Sequence, residues 1–209
     1  MSQKKEIQKC RKRKRYKNVA KEMDRIRDKK LTSIIFLIHQ VFHLNGICIA
    51  GTSAGAAVMS RQMIAQGQAP IITQKDVVSF DIGLGLVSMA IIDQHFSQRR
   101  RLTRLLSALA QRPDLLGVGI DENTGLVITV NESIEVIGDG SVTILDGREM
   151  ISNYEEIEAK EKLELLGVKM HLLPSGSSYH VNSYRAEEKR VAALLNAIKY
   201  LVLPGPARM

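Results

Sequence analysis

The sequence predicts an α/β fold: a three-layer sandwich around a mainly parallel central sheet, with a nucleophile elbow and a small β-hairpin appendage. Two observations lead to this prediction. Apolar strand segments alternate with helical segments between residues 47 and 120, as they do in parallel α/β sheets. After residue 125 the pattern changes to short β-rich segments separated by polar and glycine turns, which is typical of antiparallel hairpins. A length of 209 residues suits one domain with a full core.

Charge divides the chain into two regions. Residues 1–30 contain 14 Lys or Arg and four Asp or Glu, a net charge of +10, whereas the rest of the chain carries −2. We interpret residues 1–30 as a basic tail, disordered or non-native, and residues 31–209 as the folded domain. The near-neutral body argues against nucleic-acid binding as the main function, except through the tail.

Apolar runs and cysteines indicate the compartment. No apolar run is long enough to span a bilayer, and residues 31–42 lack the cleavage site that follows a signal peptide. The two cysteines, Cys10 in the tail and Cys48 in a predicted buried strand, argue against a disulfide framework. We therefore expect a cytoplasmic protein with no membrane partner.

The first elements of the domain surround a glycine-containing turn. Residues 31–44 predict a helix, and the apolar residues 47–50 predict a strand covered on both faces. Residues 51–55, Gly-Thr-Ser-Ala-Gly, then match the G-x-S-x-G pattern of a nucleophile elbow. The small residues after it predict a helix that fades near Gly67.

Ser53 is the candidate nucleophile in this turn. A serine in a tight strand-to-helix turn needs neighbours without bulky Cβ substituents, which glycine and alanine provide. The following helix would direct its free N–H groups and its dipole at charge that develops near Ser53. The bare five-residue pattern also occurs in ordinary strand–helix turns, so the motif needs support from other residues.

Two further apolar strands each end in polar side chains. Residues 86–92 predict a strand that leads into Asp93, Gln94 and His95, and Ser97 is the predicted cap of a helix over residues 98–111. Residues 117–120 predict a third strand. That strand leads directly into Asp121 and Glu122. Because ligands bind at the carboxyl ends of parallel strands, we expect these side chains to meet near Ser53.

The remaining elements complete the domain. Residues 125–146 predict hairpins on a sheet edge, and residues 154–166 predict a charged helix. A strand is predicted over residues 168–173 and a terminal helix over residues 186–199.

The polar residues suggest a serine, a base and an acid. A serine nucleophile needs a base, and that base needs a carboxylate to orient it. His95 is the histidine that lies at a strand end beside other polar groups, and Glu122 is the candidate acid. Asp121 is an open alternative, and Asp76 or Asp81 would give the order serine, aspartate, histidine found in α/β-hydrolases.

A cluster of arginines follows His95. Cations at the beginning of a helix oppose its dipole, and guanidinium groups bind carboxylates through paired hydrogen bonds. We interpret the cluster as a site for a substrate with free carboxylates, although a solvated helix face is the alternative. His, Cys, Asp and Glu form no cluster with metal-ligand spacing, so we expect neither a metal nor another cofactor. The arginines that follow His95 are Arg99, Arg100, Arg101 and Arg104.

Together these stretches resemble the cyanophycinases, serine exopeptidases related to the aspartyl dipeptidases. The matching segments are GTSAGAAVMS over residues 51–60, DQHFSQRRRLTRLLSALAQRPDLLGVGIDENTGLVI over residues 93–128, and LLPSG over residues 172–176. The resemblance implies hydrolysis of cyanophycin, a polyaspartate with arginine on each side chain, to β-aspartyl-arginine dipeptides. It also suggests a homodimer.

Carried over to the matching positions, the resemblance implies a role for each polar residue. Ser53 would be the nucleophile, His95 the base and Glu122 the orienting acid. The residues that would line the substrate pocket are Asp93, Gln94, Arg99, Arg101 and Arg104.

One segment departs from the family pattern. Family members carry further strands and a Gly-Gly-Asp-Gln loop before the segment near Leu31, where this chain has Arg25-Ile26-Arg27-Asp28. We therefore expect a family domain whose N-terminal part is missing or replaced, with a cleft that is open on one side and poor in oxyanion donors. Two alternatives stay open: a catalytically impaired remnant or basic-arm binding protein, and an aspartyl dipeptidase or esterase.

Overall fold

Strands and short helices make up the part of the chain that the structure describes. The computed structural model describes residues 48–181 and 191–203, so the basic tail and the predicted helix over residues 31–44 lie outside it. The strands are β1 Gln62–Gly67, β2 Val78–Ile82, β3 Ala90–Gln94, β4 Leu116–Ile120, β5 Thr124–Thr129, β6 Ser133–Gly138, β7 Ser141–Asp146, β8 Ile151–Ser152, β9 Leu165–Leu166, β10 Lys169–Pro174 and β11 Ser178–His180. The helices are α1 Ala54–Ala57, α2 Leu102–Gln111 and α3 Ala192–Leu201.

The central sheet has the order β10-β7-β4-β3. Strands β3 and β4 are parallel, with Ile92 opposite Val118, while β4 with β7 and β7 with β10 are antiparallel. The mixed α/β class is therefore confirmed. A mainly parallel sheet was expected, whereas one of the three pairings among the described residues is parallel.

Both faces of this sheet are buried. Successive strand residues point to opposite faces, and on β3 Ile91 and Ile92 belong to different apolar clusters. Ile91 packs in the cluster that contains Leu105 and Leu109 of α2, whose four-residue spacing lies on one helix face. Ile92 packs in the cluster that contains Ile198 of α3. The sheet thus lies between α2 and α3.

Two glycines on β4 allow neighbouring elements to approach closely. A Cβ at Gly117 would lie 2.9 Å from Leu105 Cγ on α2, and a Cβ at Gly119 would lie 2.4 Å from the Phe96 ring. Because Phe96 follows His95 directly, the contact at Gly119 places the loop after β3 against the end of β4. That end of β4 leads into Asp121 and Glu122.

The predicted hairpins divide between two sheets. Strands β5 and β6 form an antiparallel hairpin, and β11 extends it to a three-stranded sheet in the order β11-β6-β5. The third β-rich segment was expected in the same appendage, but β7 pairs with β4 and β10 in the central sheet. Residues 142–146 of β7 are all buried, as in a strand covered on both faces.

The helix predicted after Ser53 is shorter than expected. It ends at Ala57, because the following backbone groups bond to distant residues: Leu84 N–H donates to Val58 O, and Arg61 N–H donates to Val87 O. The chain then enters β1, which pairs with β2 in a hairpin that the sequence pattern did not indicate.

Two further predictions differ from the structure, and two others are confirmed. Residues 154–166 contain turns and β9 and no helix, since residues 73–75 bond to this backbone, for example through Leu163 N–H to Thr73 O. Helix α2 begins at Leu102, and its first turn has no side-chain cap from Ser97. Strand β10 confirms the strand over residues 168–173, and α3 confirms the terminal helix within the described residues.

No helix in the described part of the chain combines the length and the apolar character needed to cross a membrane.

Candidate active site

Ser53, His95 and Glu122 form a chain of hydrogen-bonded side chains. Ser53 Oγ lies 3.2 Å from His95 Nε2, and His95 Nδ1 lies 2.7 Å from Glu122 Oε1. The serine comes from the turn before α1, the histidine from the end of β3 and the glutamate from the end of β4. The three side chains therefore meet, as expected from their positions after three predicted strands.

The backbone at Ser53 is strained. Its φ of 52° and ψ of −125° are unusual for a residue with a side chain. The turn is tight, since a Cβ at Gly51 would lie only 2.1 Å from Gly55 O. Gly55 N–H donates to Thr52 O at 2.9 Å, and Ala56 N–H donates to Ser53 O at 2.9 Å. This conformation presents the Ser53 hydroxyl at the exposed surface of the turn.

The helix after Ser53 contributes only a weak electrostatic field at the Ser53 hydroxyl. Helix α1 has four residues, and the residues from 48 to Ser53 are not in a regular strand. The helix dipole expected from the sequence is therefore that of a single turn. The geometry of the turn, more than the helix, sets the environment of the hydroxyl.

The two ring nitrogens of His95 face different partners. An ionised carboxylate only accepts hydrogen bonds, so the tautomer of His95 that fits this contact has its proton on Nδ1 and donates it to Glu122. Nε2 is then free to accept the proton of Ser53. The His95 side chain is 25% exposed and the Glu122 side chain 48% exposed, so this chain of hydrogen bonds is open to water.

The structure distinguishes the carboxylates that the sequence left as alternatives. The one that contacts His95 is Glu122. Asp76 accepts a hydrogen bond from the Tyr154 hydroxyl at 2.6 Å, and Asp81 accepts one from the backbone N–H of Ile82 at 2.7 Å. Desolvation and the neighbouring Asp76 raise the pKa of Tyr154 to about 12, which keeps this hydroxyl a donor. Neither aspartate contacts the histidine.

The Asp121 carboxylate accepts hydrogen bonds from two serines rather than from His95. Its Oδ1 accepts hydrogen bonds from Ser97, and its Oδ2 accepts hydrogen bonds from Ser141. Burial raises the pKa of the Asp121 carboxyl, but the hydrogen bonds from both serines outweigh this effect and hold the pKa below its usual range. Asp121 is therefore a charged acceptor between two segments.

Asp93 is buried and pairs with two of the predicted substrate-binding arginines. Its side chain is 1% exposed. Arg104 donates Nε to Asp93 Oδ2 at 2.9 Å and Nη2 to Oδ1, and Arg101 donates Nη1 to Oδ1 at 3.0 Å. Arg101 Nη1 also donates to the backbone oxygen of Gln94 at 2.5 Å and to its side-chain oxygen at 3.2 Å. One carboxylate thus holds two guanidinium groups.

This cluster keeps an excess of positive charge. Burial lowers the pKa of the Arg101 guanidinium and the charge of Asp93 opposes this, while Arg104 and Arg99 lower the pKa further. Arginine remains protonated even so, which leaves one net positive charge on Asp93, Arg101 and Arg104. Arg99 is exposed at the surface of the same loop.

Replacing Asp93 by asparagine is expected to destabilise the protein by about 3 kcal/mol, because it removes the only negative charge in a partly buried cluster that holds two cations. Urea unfolding of the variant measures this loss. The matched control is Asp114→Asn. Asp114 also pairs with an arginine, Arg112, but their side chains are 55% and 32% exposed, so the expected loss is at most about 1 kcal/mol. Equal losses in the two variants would show that the Asp93 pair behaves as a surface pair.

Within residues 48–181 and 191–203, no group of three or more His, Cys, Asp and Glu side chains is arranged to hold a metal ion.

The sequence missed the residues that connect the His95 and Glu122 loops. Gln98 Oε1 accepts a hydrogen bond from the Glu122 backbone N–H at 3.0 Å, and Ser97 donates to Asp121. Ser97 and Gln98 lie within three positions of His95, which is the signal that could have identified them. Ser141 has no such signal, because it belongs to a strand 46 positions after His95.

Known proteins match most of this chain. The model for peptidase family S51 matches residues 23–137, which include Ser53, His95 and Glu122. A cyanophycinase from Geminocystis herdmanii is 41% identical over 155 residues, which are 74% of this chain and 57% of that protein. A cyanophycinase from Thermosynechococcus vestitus is 38% identical over 161 residues, 77% of this chain and 50% of that protein. The resemblance to cyanophycinases is confirmed, and the chain spans about half the length of the curated relatives it matches.

Proposed function

Because the chain belongs to peptidase family S51, we propose that it is a serine-type exopeptidase that hydrolyses cyanophycin to β-aspartyl-arginine dipeptides. The hydrogen-bonded chain from Ser53 through His95 to Glu122 is the observation that supports this proposal most strongly. It joins a nucleophile, a base and an acid in the order that acyl transfer requires. The relatives named above are cyanophycinases, which supports the choice of substrate.

The proposed mechanism uses all three side chains in both half-reactions. His95 Nε2 accepts the Ser53 proton as Ser53 Oγ attacks the scissile carbonyl carbon. His95 then donates the proton to the leaving amine, and the acyl-enzyme forms. Water attacks this ester as His95 Nε2 takes a proton from it, and His95 then returns that proton to Ser53 Oγ as the acyl group leaves as a carboxylic acid. Glu122 holds the Nδ1 proton and stabilises the imidazolium that forms in both steps.

The arginine cluster is the proposed site for substrate carboxylates. Its net positive charge favours a free carboxylate of the substrate, such as the carboxylate of each arginine that is joined to the polyaspartate. Arg101 makes all three of its hydrogen bonds to Asp93 and Gln94 through Nη1, so its Nη2 has no partner among the described residues. Arg99 extends the positive surface into solvent, whereas Gln94 accepts a hydrogen bond from Arg101 and the buried Arg104 pairs with Asp93. Asp93 would then act by holding the two arginines in place.

We also propose that the turn at Ser53 is the nucleophile elbow of a three-layer sandwich. The positive φ of Ser53 and the close approach of Gly51 to Gly55 fit the strain that such a turn stores. Helices α2 and α3 on opposite faces of the central sheet fit the outer layers. This architecture exposes the serine at the edge where β3 and β4 end.

The proposed function is tested with the full chain and three substrates. Incubation with cyanophycin is expected to release β-aspartyl-arginine, detected by mass spectrometry, faster than it releases products from a free aspartyl dipeptide or a simple acyl ester. Preference for the free dipeptide would instead identify an aspartyl dipeptidase, and preference for the ester an esterase. Absence of hydrolysis of all three substrates would contradict the proposed peptidase activity.

A further inference from the structure

Asp121 connects three segments around the site. Its Oδ1 accepts hydrogen bonds from the Ser97 backbone N–H at 3.1 Å and from the Ser97 hydroxyl at 2.5 Å. Its Oδ2 accepts hydrogen bonds from the Ser141 backbone N–H at 3.2 Å and from the Ser141 hydroxyl at 2.9 Å. The Asp121 backbone N–H donates to Ser141 O at 3.2 Å. One side chain thus joins the loop after β3, the end of β4 and the beginning of β7.

The segment that Ser97 belongs to also carries His95. It is a compact turn, closed by hydrogen bonds from Arg99 N–H to His95 O at 3.1 Å and from Arg101 N–H to Phe96 O at 3.0 Å. His95 itself has a φ of 52°, a conformation that needs support from its surroundings. Since the turn is internally bonded, moving Ser97 moves His95 with it. The bonds from Ser97 to Asp121, together with the bond from Phe96 N–H to Ile120 O at 3.1 Å, therefore set where the imidazole lies relative to β4.

The Glu122 backbone is held from the same loop. Gln98 Oε1 accepts its N–H at 3.0 Å, and the Thr124 hydroxyl donates to Glu122 O at 3.0 Å. The imidazole and the carboxylate that contact each other thus belong to two loops joined by neighbouring side chains. The contact between them is 2.7 Å long, although both side chains are partly exposed to water. An exposed contact of this length requires that the two loops be held at a fixed position relative to each other.

We propose that Asp121 is a positioning residue that holds the His95 loop where Nδ1 meets Glu122 and Nε2 faces Ser53. It touches neither the nucleophile nor the base, and it acts through Ser97 and Ser141. Hydrogen bonds to an ionised carboxylate are about twice as strong as those between neutral groups, which suits this role. The activity readout of the proposal depends on the peptidase function proposed above, but the spectroscopic readout does not.

The role requires a carboxylate with two accepting oxygens. In Asp121→Asn, the amide has one accepting oxygen and one donating nitrogen. Backbone N–H groups of Ser97 and Ser141 point at opposite oxygens of the wild-type side chain, and backbone groups cannot rotate to become acceptors. At least one of the two segments therefore loses its backbone hydrogen bond to residue 121 in the variant, which leaves at most the bond through its serine hydroxyl.

The test compares Asp121→Asn with Asp146→Asn. Asp146 is a matched control because both of its oxygens accept hydrogen bonds, from Arg148, at the opposite end of β7 from Ser141. Asp121→Asn is expected to lower kcat about tenfold or more and to change KM less than about threefold, because misplacing a base slows the chemical step. Asp146→Asn is expected to lower the free energy of unfolding while kcat stays within about twofold of wild type.

Nitrogen-15 chemical shifts of the His95 ring give a readout that does not need turnover. In the wild type they are expected to show the proton on Nδ1, and in Asp121→Asn a mixture of both tautomers. Ser97→Ala removes only the hydroxyl, so it keeps the fold and is expected to give a smaller change in the same direction. Unchanged ring shifts and unchanged kcat in a folded Asp121→Asn would overturn the proposal. Inactivity of the wild type with Nδ1 protonated would overturn the proposed function and leave the positioning role intact.

Discussion

Ser53→Ala is expected to reduce the release of β-aspartyl-arginine from cyanophycin by about 10⁴-fold or more. The hydroxyl that lies 3.2 Å from His95 Nε2 is the atom that would form the acyl-enzyme, and no other group in the proposed mechanism replaces it. Alanine keeps the Cβ, so the strained backbone at φ 52° is neither relieved nor worsened. The loss should therefore appear in kcat with little change in the free energy of unfolding.

The control for this variant is Ser79→Ala. Ser79 is an exposed serine on β2, and it is expected to keep wild-type kcat. A fluorophosphonate that labels active serines should label the wild type and Ser79→Ala but leave Ser53→Ala unlabelled. Hydrolysis by Ser53→Ala within a few-fold of the wild type would mean that another nucleophile, or directly activated water, performs the reaction.

The positions of His95 and Glu122 could be predicted from the sequence because both residues follow apolar strand segments, whereas the strand predicted before Ser53 is not formed by residues 48–50. Asp93 and His95 come after residues that read as a buried strand, and Glu122 comes after another. Such runs identify strand ends without knowledge of the sheet order, and strand ends meet at one edge. The parallel pairing of β3 with β4 then brings His95 and Glu122, which follow the ends of these strands, to the same edge of the sheet. The hydrogen bonds of Asp121 that join the His95 loop to β7 depend on Ser141, and no local sequence pattern associates Ser141 with the site.

Elements that depend on distant partners were predicted less well. The apolar segment of β7 looks the same in a hairpin as in a central sheet, and only its pairing with β4 and β10 decides between them. The charged residues 154–166 suggested a helix, but hydrogen bonds from Lys75 N–H to Glu161 O and from Leu163 N–H to Thr73 O join that segment to residues 86 and 90 positions earlier. Local composition contains no information about such partners.

The charge pairing within the arginine cluster could not be predicted from the sequence either. Asp93, Arg101 and Arg104 were all expected near the substrate, and their spacing of eight and eleven positions does not indicate a mutual contact. In the structure the carboxylate is buried and holds both guanidinium groups. The arginines are therefore fixed before any substrate arrives, which reduces the entropy lost when a carboxylate binds.

Glu122→Gln is expected to lower kcat by about 10³-fold, because the variant favours the wrong tautomer of His95. The new amide nitrogen can donate to Nδ1, which then becomes the acceptor and leaves the proton on Nε2. Nε2 would face the Ser53 hydroxyl as a donor and could not remove its proton. The variant also loses the negative charge that stabilises the imidazolium. Loss of such an acid in a buried site costs about 10⁴-fold, and the 48% exposure of Glu122 reduces the expected effect.

The tautomer change can be separated from a general loss of charge. Glu132→Gln removes a charge from the exposed turn between β5 and β6, and its kcat is expected to match that of the wild type. Ring nitrogen-15 shifts of His95 should report protonated Nε2 in Glu122→Gln and protonated Nδ1 in Glu132→Gln. A Glu122→Gln variant that keeps the proton on Nδ1 and most of its kcat would show that water can orient His95. In that case the short contact of 2.7 Å with Glu122 would be dispensable for proton transfer, and the positioning of His95 would rest on its loop alone.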